Sequence, residues 1–149
     1  MAANSKFAMA THIMASVAAH EGERVNSSYL ASSLNTNAVV VRRLLTELQK
    51  NGLLKNTLGR NGGAILARNP KSISLADIYK AVDNNELFAY NPNNPNQHCP
   101  MSCMMKSILT PIFSKAANAL DEKLSKIKLS DVLKELGEVT KSTGATQIK

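Results

Sequence analysis

Residues 35–66 read NTNAVVVRRLLTELQKNGLLKNTLGRNGGAIL and contain a helical pattern followed by a glycine-rich turn. Apolar residues in the first half recur every three or four positions, which is typical of a helix with one buried face. Asn37 suits the N-cap of this helix, and Gly52 suits the position just past its end. Residues 39–41 would favour a strand by propensity alone, but the periodicity predicts a helix. Its expected buried face is Val41, Leu44, Leu45 and Leu48.

The second half of the stretch predicts a two-stranded ribbon. Strands are expected over residues 53–57 and 64–67, with a turn from Gly59 to Gly63 between them. Glycine favours such a turn because it adopts backbone conformations closed to other residues. Arg60 lies at the tip of the turn.

Shorter helices are predicted on both sides of this unit. An amphipathic helix is expected over residues 5–20, and a short helix begins after Asn26 or Ser27. Ser74 and Asp77 offer a capping box for another short helix that ends near residue 83. Two short helices joined by a tight turn and followed by a ribbon form a winged helix-turn-helix. The expected fold class is therefore mainly α (α+β).

The C-terminal half predicts a loop followed by long helices. Pro111 should kink the helical pattern of residues 101–127, or begin a second segment capped by Thr110. Ser130 is the expected cap of a last helix over residues 129–139. The predicted organisation is a winged helix-turn-helix domain at 1–83, a loop at 84–100, dimerisation and sensor helices at 101–140, and a disordered tail at 141–149.

Positive charge is concentrated in the first part of the chain, which has a net charge of +7 over 149 residues. Residues 1–70 hold eight Lys or Arg and three Asp or Glu, whereas residues 71–149 hold ten and eight. All five arginines lie in the first part. This distribution indicates a surface that binds a polyanion, although a solvated basic surface would have the same composition.

Composition also excludes several classes of protein. The absence of Trp and the 4% of aromatic residues predict an aliphatic core. No apolar run approaches the roughly 20 residues of a membrane span, and the N-terminus reads as an amphipathic helix rather than a signal peptide. Two cysteines do not make a disulfide scaffold, so a reducing cytoplasm is expected. No catalytic triad, carboxylate pair or phosphate-binding loop is visible, which argues against an enzyme.

The predicted helix of residues 38–50 suits the major groove of double-stranded DNA, where its first turns would reach base edges. Residues 38–40 could contact thymine methyls, and Arg43 could bind a guanine or a phosphate. The alternative is an ordinary helix surface on which Arg43 pairs with Glu47 one turn later, and a turn in which Arg60 has no role. The candidate DNA-binding residues are Ser27, Ser28, Asn37, Ala38, Val39, Val40, Arg42, Arg43, Arg60 and Asn61.

Residues 27–83, from SSYLASSLNTN through GLLKNTLGRNGGAILAR to SLADIYKAVD, resemble the Rrf2 family of transcriptional regulators. The similarity extends from about residue 5 to about residue 135. It implies a dimeric, cytoplasmic winged-helix regulator that places a helix in the major groove and a wing arginine in a minor groove. The family usually has Arg directly before the first wing glycine, where Leu58 stands, so Arg60 becomes the candidate for that contact. Ala64 replaces the aromatic residue that commonly follows the paired glycines.

The stretch HCPMSC at residues 98–103 lies where some Rrf2 proteins bind an iron–sulfur cluster through three cysteines and one further ligand. Only Cys99 and Cys103 are present, with Tyr90 near the place of another cysteine, so no cluster is expected. Zinc would need His98, both cysteines and a fourth ligand. Some members without a cluster sense oxidants through a cysteine here. Cys99, at a helix start, is the better candidate; the alternative is that Cys103 packs in an interface and Cys99 has no role.

The long helical pattern after residue 105 has more apolar positions than the winged domain could cover. It predicts a helix pair between two subunits, assisted by the N-terminal helix, whereas the alternative is packing only against residues 129–139. The expected protein is a homodimeric DNA-binding repressor that acts on a palindromic site and senses oxidants through Cys99. The alternative is a winged-helix protein–protein interaction module without DNA binding. The predicted dimer residues are Met105, Leu109, Ile112, Ala116, Leu120 and Leu124.

Overall fold

The computed structural model describes residues 5–83 and 86–143. The helices and strands are α1 Ser5–Ala19, α2 Ser27–Leu34, α3 Ala38–Lys50, β1 Leu54–Thr57, β2 Gly63–Leu66, α4 Leu75–Val82, α5 Pro100–Ser125 and α6 Leu129–Thr143. A 3₁₀ turn, Pro70–Ser72, precedes α4. This architecture confirms the predicted fold class, a mainly α (α+β) winged helix-turn-helix. None of the described helices combines the length and the apolar character needed to cross a membrane.

Three helix starts have the caps that the sequence predicts. Asn26 Oδ1 accepts the N–H of the third residue of α2 at 2.8 Å, and Asn37 Oδ1 accepts the N–H of Val39 at 2.8 Å. Ser74 and Asp77 form both bonds of a capping box at the start of α4. These bonds satisfy N–H groups that have no acceptor within a helix, and each cap typically stabilises a helix by about 1 kcal/mol.

The core is aliphatic, as predicted. It joins α1, α2, α3, the wing, α4 and the first residue of α6. The large side chains that are fully buried are Ile13, Met14, Leu30, Leu44, Leu48, Leu53, Leu54, Ile73, Ile78 and Leu129. Because Leu129 belongs to this core, α6 begins on the surface of the winged domain and not apart from it.

The wing is an antiparallel pair whose register runs from Leu54 opposite Leu66 to Thr57 opposite Gly63. Gly63 has φ +155°, and a Cβ atom there would lie 2.9 Å from the carbonyl carbon of Val25. A side chain at this position would therefore push the wing away from the segment that precedes α2. The predicted strands are confirmed to within one residue at each end.

Of the two predicted outcomes at Pro111, a second segment capped by Thr110 is wrong, and a kink stays a prediction. α5 continues through this residue, and Thr110 does not cap a new segment. The Thr110 hydroxyl instead donates to the Lys106 carbonyl within the helix at 2.7 Å. Proline removes one intrahelical bond, but the ring of Phe113 in the next turn packs on aromatic rings of the preceding loop. This packing holds both sides of the proline in one helix.

The last helix also differs from the prediction, because Ser130 is not its cap. The Lys128 N–H donates to Asp131 Oδ2 at 2.8 Å, so Ser130 lies inside the first turn. An acidic residue three positions on favours this earlier start. α6 ends at Thr143, so residues 141–143 of the predicted tail are helical. The remainder of that tail, residues 144–149, lies outside the described residues, as do 1–4 and 84–85.

The C-terminal helices are joined to the winged domain near α4. The Leu129 N–H donates to the Ile73 carbonyl at 2.8 Å, which links the start of α6 to the segment before α4. Lys80 Nζ lies 2.8 Å from Asp121 Oδ1 of α5, and this hydrogen bond raises the pKa of Lys80. The helix pair thus rests directly on the winged domain, while the predicted domain boundaries stay a prediction.

Candidate nucleic-acid interface

The two helices of the helix-turn-helix meet at a tight turn. Asn35 ends α2 in the left-handed conformation at φ 50°, which Asn tolerates better than most residues. The Thr36 N–H returns to the Ala31 carbonyl at 2.9 Å. α3 then begins after Asn37 and turns its apolar face toward α2 and the core. The opposite face of α3 is consequently presented to solvent.

The exposed face of α3 consists of polar and basic side chains, with one valine in the first turn. Val39 is 49% exposed and is the most accessible apolar residue of the first turn. Ala38 and Val40 are half-buried and pack partly against the core. Thr46 also lies on the exposed face, although the sequence analysis did not single it out. Its spacing of three and four residues from the paired arginines was the signal that could have found it.

The alternative pairing of Arg43 with Glu47 is wrong. The Glu47 carboxylate lies 3.7 Å from Lys6 Nζ of α1, across the interface between the two helices. Arg42 and Arg43 are exposed and have no carboxylate partner among the described residues. Lys6 therefore holds the acidic group of α3, and both guanidinium groups keep their hydrogen-bond donors available.

The start of α2 faces the same side of the molecule. The Asn26 side chain satisfies the third N–H of the helix, so the N–H groups of Ser27 and Ser28 have no acceptor within α2. Ser28 is exposed and Ser27 is half-buried. A helix N-terminus with free N–H groups is suited to a phosphate oxygen.

The wing tip carries both predicted residues and one exposed apolar side chain. Arg60 and Asn61 are exposed, and Leu58 is 96% exposed. Arg24 Nη1 lies 3.5 Å from the Asn61 carbonyl oxygen, so a second arginine stands beside the tip. Arg24 was not predicted as a neighbour of the wing, because it lies 36 positions before Arg60 along the chain.

An open groove of about 390 Å³ separates α3 from the wing. Arg42 and Thr46 line it from α3, Ser27 lines it from α2, and Asn56 lines it from β1. The wing turn closes the far side through Gly59 and its neighbours. α2, α3 and the wing therefore form one continuous surface with four arginines on or beside it: Arg24, Arg42, Arg43 and Arg60.

The comparison with protein families agrees with this geometry. The model of the Rrf2 family, described as an iron-dependent transcriptional regulator, matches residues 3–135. The chain belongs to the Rrf2 family. The resemblance predicted from residues 27–83 is confirmed, and this Rrf2 protein is a transcriptional regulator.

Relatives of this Rrf2 regulator match nearly its whole length. It is 37% identical over 134 residues to YwnA of Bacillus subtilis (strain 168), which is assigned as an HTH-type transcriptional regulator; the match covers 89% of this chain and 98% of YwnA. A crystal structure described as a transcriptional regulator from Lactobacillus plantarum has a TM-score of 0.77 at 25% identity, covering 93% of this chain and 94% of that one. Another crystal structure, described as a DNA-binding protein, has a TM-score of 0.70 at 32% identity, covering 86% and 98%.

The two cysteines of this Rrf2 regulator lie at the start of α5. Cys99 precedes α5 and is half-buried, while the exposed Cys103 thiol, one turn later, donates to the Asn96 carbonyl at 3.4 Å. The Tyr90 hydroxyl donates to the Thr110 hydroxyl at 3.1 Å. Across residues 5–83 and 86–143, no three His, Cys, Asp or Glu side chains come together as metal ligands. His98 and the two cysteines therefore do not make a zinc site within these ranges.

α5 has one covered face and one open face. Leu109 and Phe113 lie toward the loop of residues 86–99, where Phe113 packs 4.7 Å from Phe88 between ring centroids. Leu120 and Leu124 are half-buried along a groove against α4. Of the predicted dimer residues, the structure leaves Met105, Ile112 and Ala116 exposed. The open face, which we call the α5 stripe, consists of Met101, Met104, Met105, Ile108, Ile112 and Ala116.

Proposed function

We propose that this chain regulates transcription by binding DNA as a homodimer, and that it represses the genes whose palindromic sites it occupies. The observation that carries the proposal is a set of exposed arginines along α3 and the wing. None of them has a carboxylate partner among the described residues: Arg42, Arg43 and Arg60. A guanidinium group binds phosphate or guanine through two parallel hydrogen bonds. No catalytic role is part of this proposal.

Each element has a defined contact in this arrangement. α3 enters the major groove, where Arg43 binds a guanine edge and Val39 contacts a thymine methyl. The N–H groups at the start of α2 bind a phosphate oxygen. The wing enters the neighbouring minor groove with Arg60 and Asn61. Asn37 caps the first turn of α3, and Ala38 and Val40 lie on its less exposed side.

The α5 stripe supports the homodimer. Ile108 is 50% exposed and Ile112 is 54% exposed, while Met101 reaches 69%. A contiguous apolar face of this kind is expected to be covered by another molecule. A second copy would cover it symmetrically, and two-fold proteins bind two-fold DNA sites.

Oxidant sensing is proposed at Cys99, without a resident iron–sulfur cluster. This residue lies at the N-terminus of α5, the helix that carries the dimer stripe. A chemical change at the thiol would therefore act at the start of the interface helix.

Selection of bound sequences from a random DNA pool tests the proposal. The homodimer should enrich an inverted repeat, and hydrogen peroxide should reduce the recovery of that repeat. A pool that shows no enrichment after repeated rounds would contradict DNA binding by sequence. Enrichment of a single, unrepeated half-site would contradict the homodimer.

A protein–protein interaction module is the second candidate, and Leu58 favours it. This side chain is 96% exposed at the wing tip, and an apolar tip suits a protein partner better than a phosphate backbone. Such a module would bind its partner with little dependence on salt, whereas DNA binding weakens steeply as salt rises.

A further inference from the structure

The outer edge of β1 is hydrogen-bonded to α3 at one residue, Asn56. Its backbone N–H donates to Gln49 Oε1 at 3.1 Å, and its side-chain Nδ2 donates to the Leu45 carbonyl at 3.0 Å. The wing strand is therefore tied to the last turns of the helix proposed for the major groove.

The opposite edge of the wing is tied to the start of α2. Asn56 pairs with Ala64 across the sheet, and Ala64 exchanges two backbone bonds with Val25, at 3.0 and 2.8 Å. Val25 immediately precedes Asn26, the N-cap of α2. The paired strands of the wing are thus joined on one edge to α3 and on the other edge to the segment before α2.

Strand stability does not explain an asparagine at this position. Asn is disfavoured in strands relative to Thr or Val. Asn56 Oδ1 is also buried and accepts no hydrogen bond from the described residues, which costs free energy. The only gain from this side chain within the described contacts is its bond to α3. This bond joins β1 to α3, beside the bond from the Leu53 N–H to the Leu48 carbonyl at 3.0 Å at the base of the wing.

We propose that Asn56 and Gln49 are positioning residues that set the distance between the two DNA contacts of one subunit. One contact is Arg43 in the major groove and the other is Arg60 in the minor groove. The inference rests on the proposed function, because it assumes that both grooves are occupied. It adds that the wing contributes to affinity only while it is fixed to α3.

The physical reason is the cost of ordering a loose element. A wing that is already fixed places Arg60 at the minor groove without further loss of freedom. A wing released from α3 must lose conformational freedom when it binds DNA. This entropic cost offsets the binding free energy that the Arg60 contact contributes. The contributions of Gln49 and Arg60 should therefore be coupled, although the two side chains do not touch.

A double-mutant cycle on the enriched DNA site tests this coupling. Gln49→Met keeps the side-chain length and removes the acceptor, and Asn56→Val removes the side-chain donor in a residue suited to strands. We expect Arg60→Ala to weaken binding at least about fivefold in the wild type and less than about twofold in either variant. Gln49→Glu, which retains an acceptor for the Asn56 N–H, should restore the larger loss.

Amide hydrogen exchange separates this role from general destabilisation. In Gln49→Met the Asn56 N–H should exchange faster, while the N–H groups of Leu44 and Leu48 in the core keep their protection. An equal loss from Arg60→Ala in all four backgrounds overturns the positioning role and leaves DNA binding intact. A wild type that Arg60→Ala does not weaken also overturns it. A wild type that binds no DNA overturns the proposed function together with it.

Discussion

Arg43 lies one turn before Glu47 on α3, yet the Glu47 carboxylate is held by Lys6 at 3.7 Å. In an Arg43–Glu47 pair, the carboxylate would have neutralised the positive charge of Arg43, the residue proposed to contact a base. Because α1 supplies the partner instead, the Arg43 guanidinium can bind DNA without first breaking an ion pair. The sequence predicts only the pairing of Arg43 with Glu47, since the contact between Lys6 and Glu47 spans 41 positions.

Arg43→Ala should weaken binding to the enriched site by about 1–3 kcal/mol if Arg43 binds a base edge, and should relax the preference at that base pair. Lys50→Ala, at the exposed C-terminal end of the same helix, is the matched control. Lys50→Ala should weaken binding to the enriched site and to a scrambled site by the same small factor. Fluorescence anisotropy with the enriched site and a scrambled site measures both. If Arg43→Ala lowers the affinity for the two DNAs equally, Arg43 contacts a phosphate and not a base.

Leu58→Arg should strengthen DNA binding. The new side chain would stand directly before the first wing glycine, where the family usually carries arginine, and Leu58 is 96% exposed and therefore free to change. One additional phosphate or minor-groove contact should also steepen the dependence on salt by about one unit of slope. Affinity measured from 50 to 200 mM salt checks both effects. A variant with unchanged affinity and slope would show that the tip does not reach DNA.

Local signals predicted several residues of the site, whereas contacts between distant segments were missed. Asn37 could be predicted from the sequence because an N-cap residue bonds to an N–H group of the helix that directly follows it. The roles of Asn56 and Arg24 depend on which segments meet the wing, and no local pattern specifies that. Ala38, Val39 and Val40 were all predicted to contact thymine methyls, but the core covers Ala38 and Val40 in part.

At the scale of elements, α5 departs most from what its sequence predicts. Proline interrupts helices in general, but here the turn after Pro111 is held by Phe113 against the loop of residues 86–99. A sequence pattern cannot show this packing, because it depends on where the loop returns. The α5 stripe therefore lies on a single helix that includes Pro111.

Ile108→Glu should convert the homodimer to a monomer. The change places a charge in the middle of the α5 stripe, where burial against a second copy would require its desolvation. Ser114→Glu is the matched control, because Ser114 is exposed on α5 but lies outside the stripe. Light scattering coupled to gel filtration reports the mass of each. A dimeric Ile108→Glu protein at low micromolar concentration would show that the stripe is not the interface.

Cys99→Ser should make DNA release insensitive to peroxide, while Cys103→Ser should still respond. Cys99 is half-buried before α5, whereas Cys103 is exposed in its first turn. Anisotropy of bound DNA before and after peroxide, then after addition of a thiol reductant, measures the response. If Cys99→Ser releases DNA as the wild type does, Cys99 is not the sensor.

At the scale of the whole molecule, the order of elements was predictable and their contacts were only partly so. Periodicity, caps and glycines fixed the course of the chain from α1 to α4, because each acts over a few residues. The junction of α6 with the winged domain was not predicted, since it depends on Leu129 entering a core built by residues far along the chain. The distribution of charge and the candidate arginines were readable from the sequence, but the pairing of Glu47 with Lys6 rather than with Arg43 was not.

The dependence of DNA affinity on salt tests the central claim most directly. The equilibrium constant for the enriched inverted repeat should be measured between 50 and 200 mM salt, with a scrambled duplex as reference. Neutralisation of several phosphates predicts a fall in affinity by orders of magnitude across this range, with the repeat bound more tightly than the scrambled duplex at each concentration. Affinity that does not change with salt, or equal affinity for the two duplexes, would contradict a sequence-specific DNA-binding regulator.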